Sequence, residues 1–210
     1  MEKNCFLHIE REVKSLSPSY EAWREYIQGK EIVVDMGCGH GDFLIEKTEQ
    51  YPERFFVGIE ISRKRIAKTS HRLFKRGRPN YAVIHGDGEW VLKTFFPAQS
   101  VSEIHINFPD PWLRKRHWKN RLLKPSFVLQ VIRVLRVGGR VFFVTDVEEY
   151  ARYALEVLKQ FQWLQSVYPQ GVIQNLYERF PTLFYQKMSP LRSINYVCFE
   201  KREESPLEKV

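Results

Sequence analysis

The 210-residue chain is 43% apolar and 14% aromatic, enough to fill the core of one α/β domain and too apolar for a disordered segment. Its formal charge of +8 favours a polyanionic partner, nucleic acid or an anionic surface. No apolar run approaches a membrane span, and MEKNCFLHIE lacks a signal-peptide core, so the expectation is a cytoplasmic protein off the membrane.

The first 30 residues read as a variable segment with a short helix around YEAWREYIQ. EIVVDMG then predicts a buried strand, and GDFLIEKTEQ the helix after it. RFFVGIE is a second strand, followed by the basic helix RKRIAKTSHRLFKR with Ser62 as its cap. YAVIHGD is a third strand, EWVLKTFF a short helix, and VSEIHINF a fourth strand. PSFVLQVIRVLR is an amphipathic helix that Gly138 and Gly139 are expected to end. RVFFVTD, the helix VEEYARYALEVLKQF and the late strand INYVCFEKR follow, and the polar tail at 201–210 is expected to fray. The alternation predicts a Rossmann-like α/β fold in one domain, its mostly parallel sheet covered by helices on both faces.

In such sheets ligands lie beyond the carboxyl ends of the strands, so chemistry is sought there. The first strand ends in DMGCGHG, where Gly37, Gly39 and Gly41 let a ligand approach the main chain. This is GxGxG with an acid ahead of it, not the GxGxxG of dinucleotide folds. Asp35 and Asp42 would repel a pyrophosphate. They suit instead a cofactor with a positive amino group, such as the methionine part of S-adenosylmethionine. Glu60 ends the second strand, 25 residues beyond Asp35, where it can hold a ribose diol. Asp87 ends the third strand, placed to approach an adenine edge. A lone glycine loop would equally be a tight turn with solvated acidic caps. Acids at three successive strand ends favour cofactor binding.

The fourth strand ends at Asn107 and runs into FPDPW. Phe108 and Asp110 each precede a proline, which biases both toward extended angles, and Pro109 and Pro111 fix their own φ. Asp110 is therefore expected to stand rigidly beside the cofactor, with Trp112 offering a stacking face. The plain alternative is a Pro-Asp-Pro turn with a core tryptophan. From Arg114 to Lys124 the chain reads RKRHWKNRLLK, six Lys or Arg in eleven, interleaved with His117 and Trp118. A charge run is commonly a solvated face. Its position directly after Asp110, and the second basic surface on RKRIAKTSHRLFKR, suit a polynucleotide held by phosphate contacts while one base meets the acid. Cys5, Cys38 and Cys198 have no CxxC spacing and the six histidines no ligand spacing, so no metal is expected.

With DMGCGHG, GIEIS, HGDGEW, INFPDPWLRKRHWKNR and VTDVEEY in that order, the chain resembles the bacterial tRNA (guanine-N7)-methyltransferases over about residues 31–150. The resemblance implies a class I methyltransferase that uses S-adenosyl-L-methionine to methylate N7 of a guanosine in the variable loop of tRNA. By position it implies cofactor contacts from Asp35, Gly37, Gly39, Glu60, Asp87 and Asp110, with Asp110 the catalytic acid. Arg114, Asp146, Thr182 and Tyr185 fall at its substrate-binding positions. RFPTLFYQK departs from the family pattern, with Leu183 and Tyr185 where a lysine and a glutamate are usual. A tyrosine cannot accept both hydrogen bonds from guanine's Watson–Crick edge, so Glu178 is a candidate substitute. The competing readings are an amino-methyltransferase, disfavoured because FPDPW interrupts the contiguous Asn-Pro-Pro-aromatic pattern of such enzymes, and an RNA-binding protein without catalysis. Partners are expected to be tRNA alone, with no obligate protein partner, the chain acting as monomer or homodimer.

Overall fold

The computed structural model describes residues 7–9, 20–176 and 182–209. In chain order the elements are β1 (Leu7–Ile9), α1 (Tyr20–Ile27), β2 (Ile32–Met36), α2 (Asp42–Gln50), β3 (Phe55–Glu60), α3 (Arg63–Phe74), β4 (Tyr81–His85), α4 (Gly88–Phe95) and β5 (Val101–Asn107). A 3-10 turn (Lys115–Asn120), α5 (Pro125–Val134), β6 (Leu135–Thr145), α6 (Glu148–Lys159), β7 (Leu164–Ser166), β8 (Ile173–Gln174), α7 (Leu183–Met188), β9 (Asn195–Lys201) and a last 3-10 turn (Pro206–Lys209) complete the chain.

The sheet order is β1-β4-β3-β2-β5-β6-β9-β7, with β8 also paired to β9. Strands β4, β3, β2, β5 and β6 run parallel, whereas β1, β7, β8 and β9 pair antiparallel. The chain steps outward from β2 through β3 to β4, then returns to lay β5 on the other side of β2. The order therefore reverses between β2 and β5, and a crevice opens beyond their carboxyl ends.

The two-residue period of the strands sorts their side chains between two faces. On one face Val34, Val57, Ile84, Ile104, Val141 and Val197 join the main cluster with Trp23, Leu92, Phe127 and Leu158 from α1, α4, α5 and α6. On the other, Val33, Phe56 and Val83 pack with Leu44, Ile66 and Leu73 from α2 and α3. Further along that face Phe142, Val144, Tyr196 and Cys198 form a third cluster with Phe43 and Tyr185. Each fully buried aliphatic stabilises by roughly 1.5–3 kcal/mol, which makes the central strands a stiff platform for the loops at their ends.

Three expectations are corrected. Helix α5 stops at Val134, and Gly138 and Gly139 lie inside β6 rather than at its cap. The β5–β6 register shifts between Val101 and Glu103, and a Cβ on Gly139 would stand 2.8 Å from Arg136 O and 3.1 Å from Ser102 O. The glycines serve this irregular backbone approach. Second, Phe108 has φ +50, not the extended angle expected before proline. Third, the described residues of the tail, 201–209, dock instead of fraying. Lys201, fully buried, donates to Ile132 O at 2.8 Å, in the last turn of α5, and to Leu135 O at 2.7 Å, on the residue that follows the helix. Its ammonium also pairs with Glu208, which accepts from Ser205 N–H at 2.9 Å and so pins the final turn. Strands β7 and β8 were not foreseen; each is only two or three residues long.

Candidate active site

The loop after β2 sets the floor of the crevice. The N–H groups of Gly37 and Cys38 both donate to Ile59 O, at 2.8 and 3.0 Å, which folds the glycine loop over the tip of β3. Gly37 does this at φ +75, a left-handed angle that strains a residue with a Cβ. Gly41 is required for contact: a Cβ there would lie 2.4 Å from Thr69 Cγ2, so α3 can pack only against a glycine.

Glu60, 4% exposed, is locked in place by this loop. Its Oε2 accepts from Gly39 N–H at 3.1 Å and its Oε1 from Ser62 N–H at 2.9 Å, with Arg65 3.7 Å away. Asp87 caps α4 by accepting from Trp90 N–H at 3.1 Å, and remains half-buried. Behind the loop sits Asp35, 2% exposed. Asn107 Nδ2 approaches its Oδ1 at 3.4 Å, whereas Asp35 Oδ2 and Asn107 Oδ1 are buried with no hydrogen-bond partner among the described residues. Burial pushes the Asp35 carboxyl up to about 7; the Asn107 hydrogen bond opposes this, and Glu60 and Asp42 reinforce it.

A cavity of about 500 Å³ opens at these tips, lined among others by Gly37, Glu60, Asp87, Asn107, Asp110 and Trp112, with Asp35 and Gly39 set back from its wall. At its rim Phe108 N–H donates to Val144 O at 2.8 Å, and the chain turns through Pro109, Asp110 and Pro111. Phe108 and Trp112, at φ +50 and +45, bracket that segment in a region that costs bulky residues of order 1–3 kcal/mol each. Asp110 is exposed to the cavity, and Trp112 is 39% exposed.

Of the substrate positions, none lines this cavity. Arg114 is exposed on the strip beside it. Asp146 accepts from Arg192 Nη1 at 2.8 Å. Thr182 Oγ1 accepts from Tyr185 N–H at 3.0 Å and so caps α7. Tyr185 is 8% exposed within the third cluster, because α7 turns that ring onto β6 and β9. Glu178, Arg179 and Pro181 lie outside the described residues.

Several residues take places that the sequence reading did not assign to them. Arg65, Glu89, Lys119 and Lys124 also line the cavity. Glu89 accepts from Ser126 Oγ at 3.1 Å and pairs with Lys124 at 3.3 Å. Phe184, 45% exposed, packs on Phe108 with centroids 4.6 Å apart. Trp118 faces Arg121 rather than solvent, with Arg121 Cζ 4.5 Å from its ring. Within the strip Arg114, Lys115, Arg116 and Lys119 are exposed, and none has a carboxylate partner among the described residues. No helix among the described residues is long and apolar enough to cross a membrane.

A mostly parallel sheet with an acid-lined crevice at its switch point has the class I methyltransferase fold. Solved methyltransferases share it: the aminoglycoside resistance methyltransferase NpmB1 at TM-score 0.63 and 19% identity, covering 89% of this chain and 95% of that one. A 16S rRNA (adenine(1408)-N(1))-methyltransferase from Catenulisporales acidiphilia, solved with cosubstrate SAM, has TM-score 0.67 at 13% identity, covering 90% and 93%. The family described as "Putative methyltransferase" matches residues 29–192. Curated tRNA (guanine-N(7)-)-methyltransferases are similar over much of the chain. That of Levilactobacillus brevis is 37% identical over 73% of this chain and 72% of its own length. That of Syntrophotalea carbinolica is 34% identical over 84% and 77%, and that of Nitrosococcus oceani 38% identical over 67% and 60%. The chain belongs to the tRNA (guanine-N7)-methyltransferase family.

Proposed function

We propose that this protein methylates N7 of a guanosine in the variable loop of tRNA, using S-adenosyl-L-methionine, with one domain carrying both tasks. The observation that carries the cofactor half is the pair of buried, unpartnered acceptors, Asp35 Oδ2 and Asn107 Oδ1, beside the crevice. Two acceptors without donors fit an ammonium group, and a nucleotide phosphate would be repelled there. When bound, S-adenosylmethionine supplies a methyl group activated by its sulfonium. Asp35 would hold the amino group, Glu60 the ribose diol and Asp87 the adenine edge. Gly37 and Gly39 let the cofactor lie against bare backbone.

Guanine N7 carries an in-plane lone pair, so no proton has to be removed before transfer. The residues' work is alignment and charge stabilisation. The base becomes cationic as N7 is methylated, and Asp110 on its stiff mount faces that developing charge. Trp112 provides a flat face for the base. On the two sides of the crevice, the exposed cations of α3 and of the strip, Arg114 among them, hold phosphates. Asp146 is a substrate contact positioned by Arg192. Thr182 and Tyr185 act at one remove, by fixing α7 so that Phe184 buttresses Phe108. A reducing cytoplasm suits Cys38 and Cys198, which are buried and joined in no disulfide among the described residues.

The test is incubation with bulk tRNA and methyl-labelled cofactor, followed by nucleoside analysis. Labelled 7-methylguanosine is expected. A labelled exocyclic amine, or no labelled nucleoside at all, overturns the reading.

A further inference from the structure

We propose that Arg121 is a positioning residue for methyl transfer: its guanidinium, caged by three aromatic rings, holds the Pro111 carbonyl and so sets where Asp110 stands. The proposal rests on the function argued above.

The loop between Phe108 and Trp112 is poor in anchors. Pro109 and Pro111 have no N–H, leaving Asp110 the only amide donor among the three. Upstream, the hydrogen bond from Phe108 N–H to Val144 O ties the segment to the sheet. Downstream the tie is Arg121, whose Nε donates to Pro111 O at 3.0 Å. With positive φ at both Phe108 and Trp112, the segment is held in a sparsely populated, costly backbone region. A side-chain tie is therefore needed to keep Asp110 in one place.

The way Arg121 is held is an expensive means of filling space. It is 2% exposed, yet it lines the cavity. Its Cζ lies 4.5 Å from the Trp118 ring centroid and 4.7 Å from those of Tyr150 and Tyr153. Nη1 and Nη2 are buried with no hydrogen-bond partner among the described residues, and the carboxylate of Glu149, 3.8 Å from Nη2, is 61% exposed. An apolar side chain of similar length would fill that space without leaving a charge half-satisfied. The rings offset part of the cost and fix the guanidinium plane. What methionine could not supply is the Nε donor aimed at the carbonyl next to Asp110.

The test compares R121M with the wild-type protein on tRNA, alongside calorimetric titration of S-adenosylmethionine. The expected result is cofactor Kd and tRNA KM within about threefold of wild type and kcat lower by about 100-fold, the cost of displacing a reacting group by about 1 Å. In R121A, guanidinium chloride at about 20 mM should refill the cage and raise kcat at least about fivefold, while sodium chloride at equal ionic strength should not. Turnover of R121M within about threefold of wild type overturns the proposal, as does loss of cofactor affinity in step with kcat. If methionine prevents folding, R121A decides: recovery with guanidinium supports the tie, and failure to recover overturns it. A wild-type protein that binds cofactor but leaves tRNA unmethylated sinks the functional reading and this proposal together. An active wild type with an equally active R121M sinks this proposal alone.

Discussion

Replacing Asp35 by asparagine should raise the stability of the cofactor-free protein and abolish cofactor binding at the same time. The carboxyl is lifted by burial from its ordinary 3.8 to about 7. Because the folded value lies above the unfolded one, the folded state holds this proton more tightly. The stability it contributes is present below pH 4 and is lost as pH rises through 7. At 1.36 kcal/mol per pH unit, the penalty at pH 8 reaches an upper bound of about 4 kcal/mol. D35N carries no such charge, so its melting point at pH 8 should exceed that of wild type, by about 2–4 °C for each kcal/mol recovered. At pH 4 the two should melt together. Cofactor affinity runs the other way, since an ammonium ligand needs the carboxylate. Between pH 8.5 and 5.5 the wild-type Kd should rise about 30-fold, following the falling ionised fraction of a group that titrates near 7. Scanning fluorimetry and titration calorimetry read both quantities. A D35N protein that is less stable at pH 8 yet binds cofactor normally, or a wild-type Kd flat across that range, would refute the reasoning.

D110A should lower kcat by about 100-fold or more while the cofactor Kd stays within about threefold, because the lost interaction is with charge that appears only on methyl transfer. Equal loss in kcat and cofactor affinity would show that Asp110 is a cofactor clamp and nothing more. Neutralising Arg114, Lys115 and Arg116 to glutamine should weaken tRNA binding and reduce its logarithmic salt slope by about one for each phosphate contact removed. Filter binding at several salt concentrations would measure this, and an unchanged slope would assign the strip to solvent. E208A leaves the Lys201 ammonium buried beside the Ile132 and Leu135 carbonyls without its counter-ion, so unfolding should become easier by about 3–5 kcal/mol in urea titrations. A loss below about 1 kcal/mol would mean that the tail is not clasped as described.

Much of this molecule is written into short stretches of chain. Val33 and Val34 are neighbours of the same type that enter opposite clusters, and the two-residue strand period alone requires that. The acids Asp35, Glu60, Asp87 and Asp110 stand at or within three residues of the ends of apolar strands, and parallel strands carry such positions to one edge whatever packs behind them. Other features depend on which distant segments converge, and no local pattern reports that. Arg121 reads as one more solvated cation until Tyr150 and Tyr153, three apart on α6, close over it. Tyr185 sits at a motif position that suggests substrate, and the packing of α7 on β6 and β9 turns it inward. Gly138 and Gly139 look like a helix stop, but they fall inside β6 where its register against β5 shifts. Charge at the strand tips is a matter of local order along the chain, whereas burial of a side chain is a property of everything that surrounds it.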